Sequence, residues 1–132
     1  MNPKKIWANL AVGDLDRTAK FYSELGFKAN GPGSSELTSF FFGENNLVIH
    51  FFLKDVLGAN LNIEIADSQR AAEVVFTLSA ASRTEVDAWE QEVKNAGGQI
   101  ISGAEAFGEG YYGFLFADPD GHRFNVFYMA GL

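Results

Sequence analysis

Ile6-Trp7-Ala8-Asn9-Leu10-Ala11-Val12-Gly13-Asp14-Leu15-Asp16-Arg17-Thr18-Ala19-Lys20-Phe21-Tyr22-Ser23-Glu24-Leu25-Gly26-Phe27 is the stretch on which the fold turns. Its first part, Ile6 to Val12, reads as a strand. Side chains alternate along a strand, so Ile6, Ala8, Leu10 and Val12 share one face while Trp7, Asn9 and Ala11 share the other. Asp14 is a natural N-cap for a helix running to Leu25. Leu15, Ala19, Tyr22 and Leu25 fall on one helical stripe. Gly26 can take the left-handed conformation that ends it. The all-apolar strand face packs on that stripe. The face with Trp7 and Asn9 must then look at something else, and a ligand cavity is the expectation.

The same plan returns about seventy residues later. Val74 to Ala80 reads as a strand, with Val75, Thr77 and Ser79 on one side. Ser82 and Glu85 form a capping box. Val86, Trp89, Val93 and Ala96 make the apolar stripe of a second helix, closed by Gly97 and Gly98. Strand-like segments follow each unit. The chain thus reads as two copies of one strand–helix–strands module.

With 132 residues, 47% of them hydrophobic, the chain can bury a real core. Thirteen Phe suggest an aromatic-lined interior or cavity. The net charge of −7 disfavours nucleic acid and anionic membranes as partners. It mildly favours a cationic ligand, with simple solubility the readier explanation. The absence of cysteine removes disulfides, thiolate metal sites and a Cys nucleophile. No apolar run reaches the roughly 20 residues of a membrane span. Met1 to Lys5 lacks the apolar core of a signal peptide, so a cytoplasmic location is expected.

Between the modules, Asn30 to Ser35 is a turn cluster. Leu37 to Phe42 and Leu47 to Leu53 read as strands joined by a turn at Gly43–Asn46. Val48, His50 and Phe52 share one face of the second. Lys54 to Glu73 is long for a connection; it reads as a linker or a lid, with a short helix at Asp67–Ala72. Further on, Gln99–Ser102 is a short strand and Gly103–Gly110 a mobile loop carrying Phe107. Tyr111–Ala117 and Arg123–Met129 are strands, joined by the turn Asp118-Pro119-Asp120-Gly121.

Two segments carry a family resemblance: Asn9 to Arg17 with Phe21 to Phe27, and Phe116-Ala117-Asp118-Pro119-Asp120-Gly121-His122-Arg123-Phe124. Together they resemble the vicinal oxygen chelate superfamily, which includes glyoxalase I, extradiol dioxygenases, and fosfomycin- and bleomycin-resistance proteins. The resemblance covers essentially the whole chain. It implies an α+β fold with paired βαβββ modules, about 4–55 and 73–130 within one domain of 1–132, whose strands form a cup-shaped mixed sheet with helices outside. It also implies a homodimer.

Metal-dependent relatives place one ligand on each of four strands. Carried over, these positions fall at Trp7, His50, Val75 and Asn125. Only His50 is a strong donor, and such ions need about three or more. No metal and no cofactor are therefore expected. His122, beside the turn, reads as a hairpin-end residue.

The candidate ligand-binding residues are Trp7, Asn9, His50, Phe52, Thr77, Phe107, Tyr111 and Asn125. Apolar walls with a few polar groups are what small-molecule pockets use. His50 reads either as a general base or hydrogen-bond donor to a ligand, or as a satisfied inward histidine without chemistry. Of the adjacent pair Tyr111 and Tyr112, Tyr111 is taken as inward-facing. Arg123 is expected at the surface, and Glu64 reads as a surface charge or a carboxylate over the cup. No nucleophile elbow, phosphate loop or close carboxylate pair is visible.

Three functions remain open at this stage. One is a small-molecule-binding, glyoxalase/bleomycin-resistance-like protein without the family metal, taking a hydrophobic or aromatic and even cationic ligand. Another is a metal-dependent or His50-based lyase, isomerase or dioxygenase. The last is an association module whose cup has filled in.

Overall fold

The computed structural model describes residues 1–131 and divides into two compact units, Met1–Ala66 and one from Asp67 onward. Each contains the strand–helix–strands plan read from the sequence.

In the first unit β1 (Trp7–Val12) leads into α1 (Leu15–Glu24). Asp14 caps the helix, its side chain accepting from the Arg17 amide at 2.9 Å. Gly26 closes it at φ +90°, with the Phe27 amide bonded back to the Tyr22 carbonyl. The buried side chains of α1 are Thr18, Phe21 and Tyr22. This turns the stripe away from the expected Leu15/Ala19/Tyr22/Leu25: Leu15, Ala19 and Leu25 are only half-buried flanks. Thr18 tolerates full burial because its hydroxyl donates to the Asp14 carbonyl.

β2 (Leu37–Phe42) and β3 (Leu47–Leu53) complete a sheet of order β1-β3-β2. β1 runs parallel to β3 and β2 antiparallel to it. Against α1 the sheet presents Phe40, Phe42, Ile49 and Phe51, all buried. Tyr22 stacks on Phe51 at 4.6 Å and meets Phe42 edge-on at 5.7 Å. Beyond β2, the Asn30 amide donates to the Ser39 carbonyl and the Phe41 amide to the Lys28 carbonyl. Residues 28–30, part of which the sequence assigned to a turn, thus make an isolated bridge to β2, with Ala29 opposite Phe40.

The long connection also departs from expectation. Its helix is α2 (Lys54–Leu61), directly after β3, and not Asp67–Ala72, where only a turn forms at 68–70. Gly58 in mid-helix and a single buried residue, Leu57, leave α2 almost without apolar periodicity. It packs on β3 and β1.

In the second unit β4 (Val75–Ser79) precedes α3 (Arg83–Ala96). The Ser82 hydroxyl accepts from the Glu85 amide, and the Glu85 carboxylate reaches back to the Ala81 amide. β5 (Gln99–Ala106), β6 (Tyr111–Ala117) and β7 (Arg123–Met129) follow, giving the order β4-β7-β6-β5. β4 is parallel to β7, and the other pairs are antiparallel. Val86 and Val93 pack in a core with Phe114, Phe116, Phe124 and Val126.

β5 runs four residues past its expected end. Residues 103–106 are strand and not free loop, with two register shifts along the way. Gly103 and the small residues beside it read as loop because a bulged edge strand needs little side-chain packing. The Glu90 carboxylate takes the edge amide of Ala104 at 2.5 Å. Among the described residues no helix is long and apolar enough to cross a membrane.

Candidate functional site

Pairing register decides which side chains share the face that α1 leaves open. On the first unit Trp7 lies beside Val48, Asn9 beside His50 and Ala11 beside Phe52. Across β3, Phe41 lies beside Val48, Ser39 beside His50 and Leu37 beside Phe52. The open face is therefore a polar rung, Asn9–His50–Ser39, between two largely apolar rungs. The sequence brought Trp7, Asn9, His50 and Phe52 to one face but missed Ser39. Its signal was present in the alternation Leu37, Ser39, Phe41. Asn30, next to the bridging Ala29, donates from Nδ2 to Ser39 Oγ at 3.2 Å.

The His50 ring stands between two aromatic neighbours. Trp7 lies 6.5 Å away between centroids at 31°, and Phe52 lies 6.2 Å away nearly perpendicular. Trp7 itself is 54% exposed. His50 Nδ1 is sealed from solvent and has no hydrogen-bond partner.

On the second unit the open face carries Thr77 beside Asn125, which lies beside Leu115. Further along, Ser79 neighbours Phe127, and Phe127 neighbours Gly113. Tyr111 stacks on Phe127 at 5.9 Å and on Phe107 at 6.3 Å, with the planes within 13°. Phe107 and Tyr111 remain 45% and 38% exposed. Tyr112 takes the helix side, donating to Asp87 at 2.5 Å under the Arg83 guanidinium. That bond to Asp87 holds the Tyr112 hydroxyl above the ordinary tyrosine range.

Glu64 is exposed. Arg123 is not the free surface residue expected: it is half-buried and donates to the Ser68 and Gly121 carbonyls. His122 is buried at the hairpin end, its Nδ1 2.7 Å from Asp118 Oδ2.

The residues that the family resemblance sets at the ion-holding positions are Trp7, His50, Val75 and Asn125. Indole and isopropyl groups donate no electron pair to a divalent ion, and a neutral amide oxygen is a weak ligand. A ligating histidine also donates its other ring N–H to an acceptor. His50 has no acceptor at Nδ1. Among the described residues no group of three or more His, Asp or Glu side chains is placed to hold an ion. These residues do not fit a chelated metal.

Comparison with known proteins agrees with this architecture. The profile of the Glyoxalase/Bleomycin resistance protein/Dioxygenase superfamily matches residues 6–126. A hypothetical protein from S. aureus is 28% identical, with TM-score 0.83 over 97% of this chain and 95% of that one. A glyoxalase-related enzyme from Fulvimarina pelagi shares 23% identity, with TM-score 0.83 over 96% and 88%. A lactoylglutathione lyase from Agrobacterium tumefaciens shares 19%, with TM-score 0.69 over 97% and 96%. The comparison with curated proteins gives no match. Two strand–helix–strands units, a profile match spanning nearly the whole chain and neighbours of the same build have one meaning: the chain belongs to the glyoxalase/bleomycin resistance protein/dioxygenase superfamily.

Proposed function

We propose that this protein binds a small hydrophobic or aromatic molecule on the open faces of its sheets, without a chelated metal. The observation that carries the reading is the polar rung Asn9–His50–Ser39 between Trp7 and Phe52. A few polar groups set in an aromatic wall hold a flat ligand by stacking and fix its orientation by hydrogen bonds. The net charge of −7 favours neutral or cationic ligands over anionic ones. The reading includes a cytoplasmic protein acting as a homodimer, as the family resemblance suggests; sedimentation velocity tests the dimer.

Two tryptophans, Trp7 and Trp89, make the binding test direct. In a Trp89→Phe background the remaining emission reports on the open face of the first unit. Titration with a panel of aromatic metabolites and cationic drugs is expected to give saturable quenching with at least one class. Silence across the panel retires the reading. Stoichiometric zinc, nickel, manganese or iron in protein purified without chelators, lost on His50→Ala, overturns the metal-free part of it.

A further inference from the structure

We propose that His50 presents a hydrogen-bond donor, Nε2–H, on the open face of the first unit, and that the ligand bound there carries a carbonyl oxygen at the edge of a planar apolar body. The second half rests on the ligand-binding reading above; the first half stands without it.

A neutral imidazole has one N–H and one bare nitrogen, and its surroundings decide which is which. His50 Nδ1 has essentially no accessible surface and no partner. A proton placed there is a buried donor with nothing to meet, the costlier kind of orphan in a folded protein. Nε2 is not sealed in this way, since Nδ1 is the only nitrogen of the ring left buried and unpartnered. The proton therefore belongs on Nε2, where it meets solvent or ligand.

A donor in this position selects an acceptor. Trp7 and Phe52 flank the ring and offer flat apolar surface to the body of a ligand. Ser39 Oγ accepts from Asn30, which leaves its own proton to donate. His50 and Ser39 are neighbours in register, but Ser39 is buried, so the donor offered on this face is the His50 ring. A carbonyl oxygen matches that donor. The same arrangement opposes metal ligation through Nε2, which moves the ring proton to the sealed nitrogen.

Long-range proton–nitrogen NMR of the ligand-free protein reads the tautomer. At about pH 8, above the ordinary histidine range, His50 is expected to show a bare Nδ1 and a protonated Nε2. Comparison with His50→Gln assigns the signals, because His122 is the only other histidine. The opposite tautomer overturns the donor assignment whatever the protein binds. Calorimetric titration with 2-acetylnaphthalene and 2-ethylnaphthalene tests the ligand class. The ketone is expected to bind about tenfold tighter, the worth of one good hydrogen bond. His50→Gln, whose amide N–H falls near the place of Nε2, keeps the preference, and His50→Phe loses it. Equal affinities, or tighter binding of the hydrocarbon, overturn the ligand class. If the tautomer stands and neither compound binds, the failure lies in the reading of this face as a ligand site.

Discussion

A β-carbon at Gly121 would come within 2.5 Å of the Ser68 carbonyl oxygen, so the Asp-Pro-Asp-Gly turn can seat against residues 68–69 only with glycine at this position. Gly121 also holds φ +94°, where other residues are strained. The contact is reinforced on both sides: Ser68 Oγ donates to the Asp120 carbonyl, and Gln69 Nε2 to the Pro119 carbonyl. Three glycine substitutions separate the two effects. Gly97→Ala meets open space at φ +94° and pays for conformation alone, about 1 kcal/mol. Gly121→Ala adds a backbone collision and is expected to cost about 3 kcal/mol or more. Gly113→Ala belongs with Gly121, because its new carbon would overlap the Val126 carbonyl oxygen. Urea denaturation ranks the three, and a Gly121→Ala midpoint equal to that of Gly97→Ala would refute the packing account.

The turn has an internal lock as well. One carboxylate, Asp118, accepts from the backbone amides of Asp120 and His122 at 3.0 and 2.9 Å and sits 2.7 Å from the His122 ring. Replacing it with Ala strands two buried amides, which predicts a loss of about 2–4 kcal/mol. His122→Ala leaves both amide bonds in place and is expected to cost less than Asp118→Ala. Chemical denaturation of the two variants checks the order, and the reverse order would sink this assignment.

On the opposite side of the second sheet, the Tyr112–Asp87 bond makes stability depend on alkaline pH. The bond to Asp87 raises the hydroxyl above its ordinary value, so the folded chain holds this proton more tightly than the unfolded one. The contribution is complete below the unfolded tyrosine value of about 10 and is lost as pH rises through the folded value. Denaturation midpoints of the wild type are expected to fall more steeply above about pH 10 than those of Tyr112→Phe. Parallel curves would show that the bond does not survive in solution.

These features differ in how far the sequence betrayed them. β1 and α1 were legible because alternation, the Asp14 cap and the Gly26 stop are local signals. The isolated bridge of residues 28–30 to β2 was not, since it is made by the Asn30 amide and the Lys28 carbonyl, which leave no mark in the side chains. α2 was hidden by Gly58 and by having one buried residue. For the site, alternation set Tyr111 and Tyr112 on opposite faces, and Tyr112 is the one on the helix side. Alternation does not assign register, however. Only the ladder reveals that Asn9, and not Trp7, stands directly beside His50, and that Ser39 completes the rung.

Trp7 and Phe51 test whether the two faces of the first sheet have different purposes. Phe51 is fully buried and stacks on Tyr22, so Phe51→Ala removes a large core side chain with no water to fill the gap. The expected loss is about 3–5 kcal/mol. Trp7 is 54% exposed at the edge strand, beside Val48 and 6.5 Å from the His50 ring. A side chain kept for stability would sit deeper. Trp7→Ala is therefore expected to change stability by less than about 1 kcal/mol while weakening binding of an aromatic ligand at least tenfold, since stacking on the indole is lost. Thermal denaturation and calorimetric titration of the same two variants decide the matter. If Trp7→Ala unfolds as readily as Phe51→Ala, the indole is structural and the open face loses its strongest claim to a ligand.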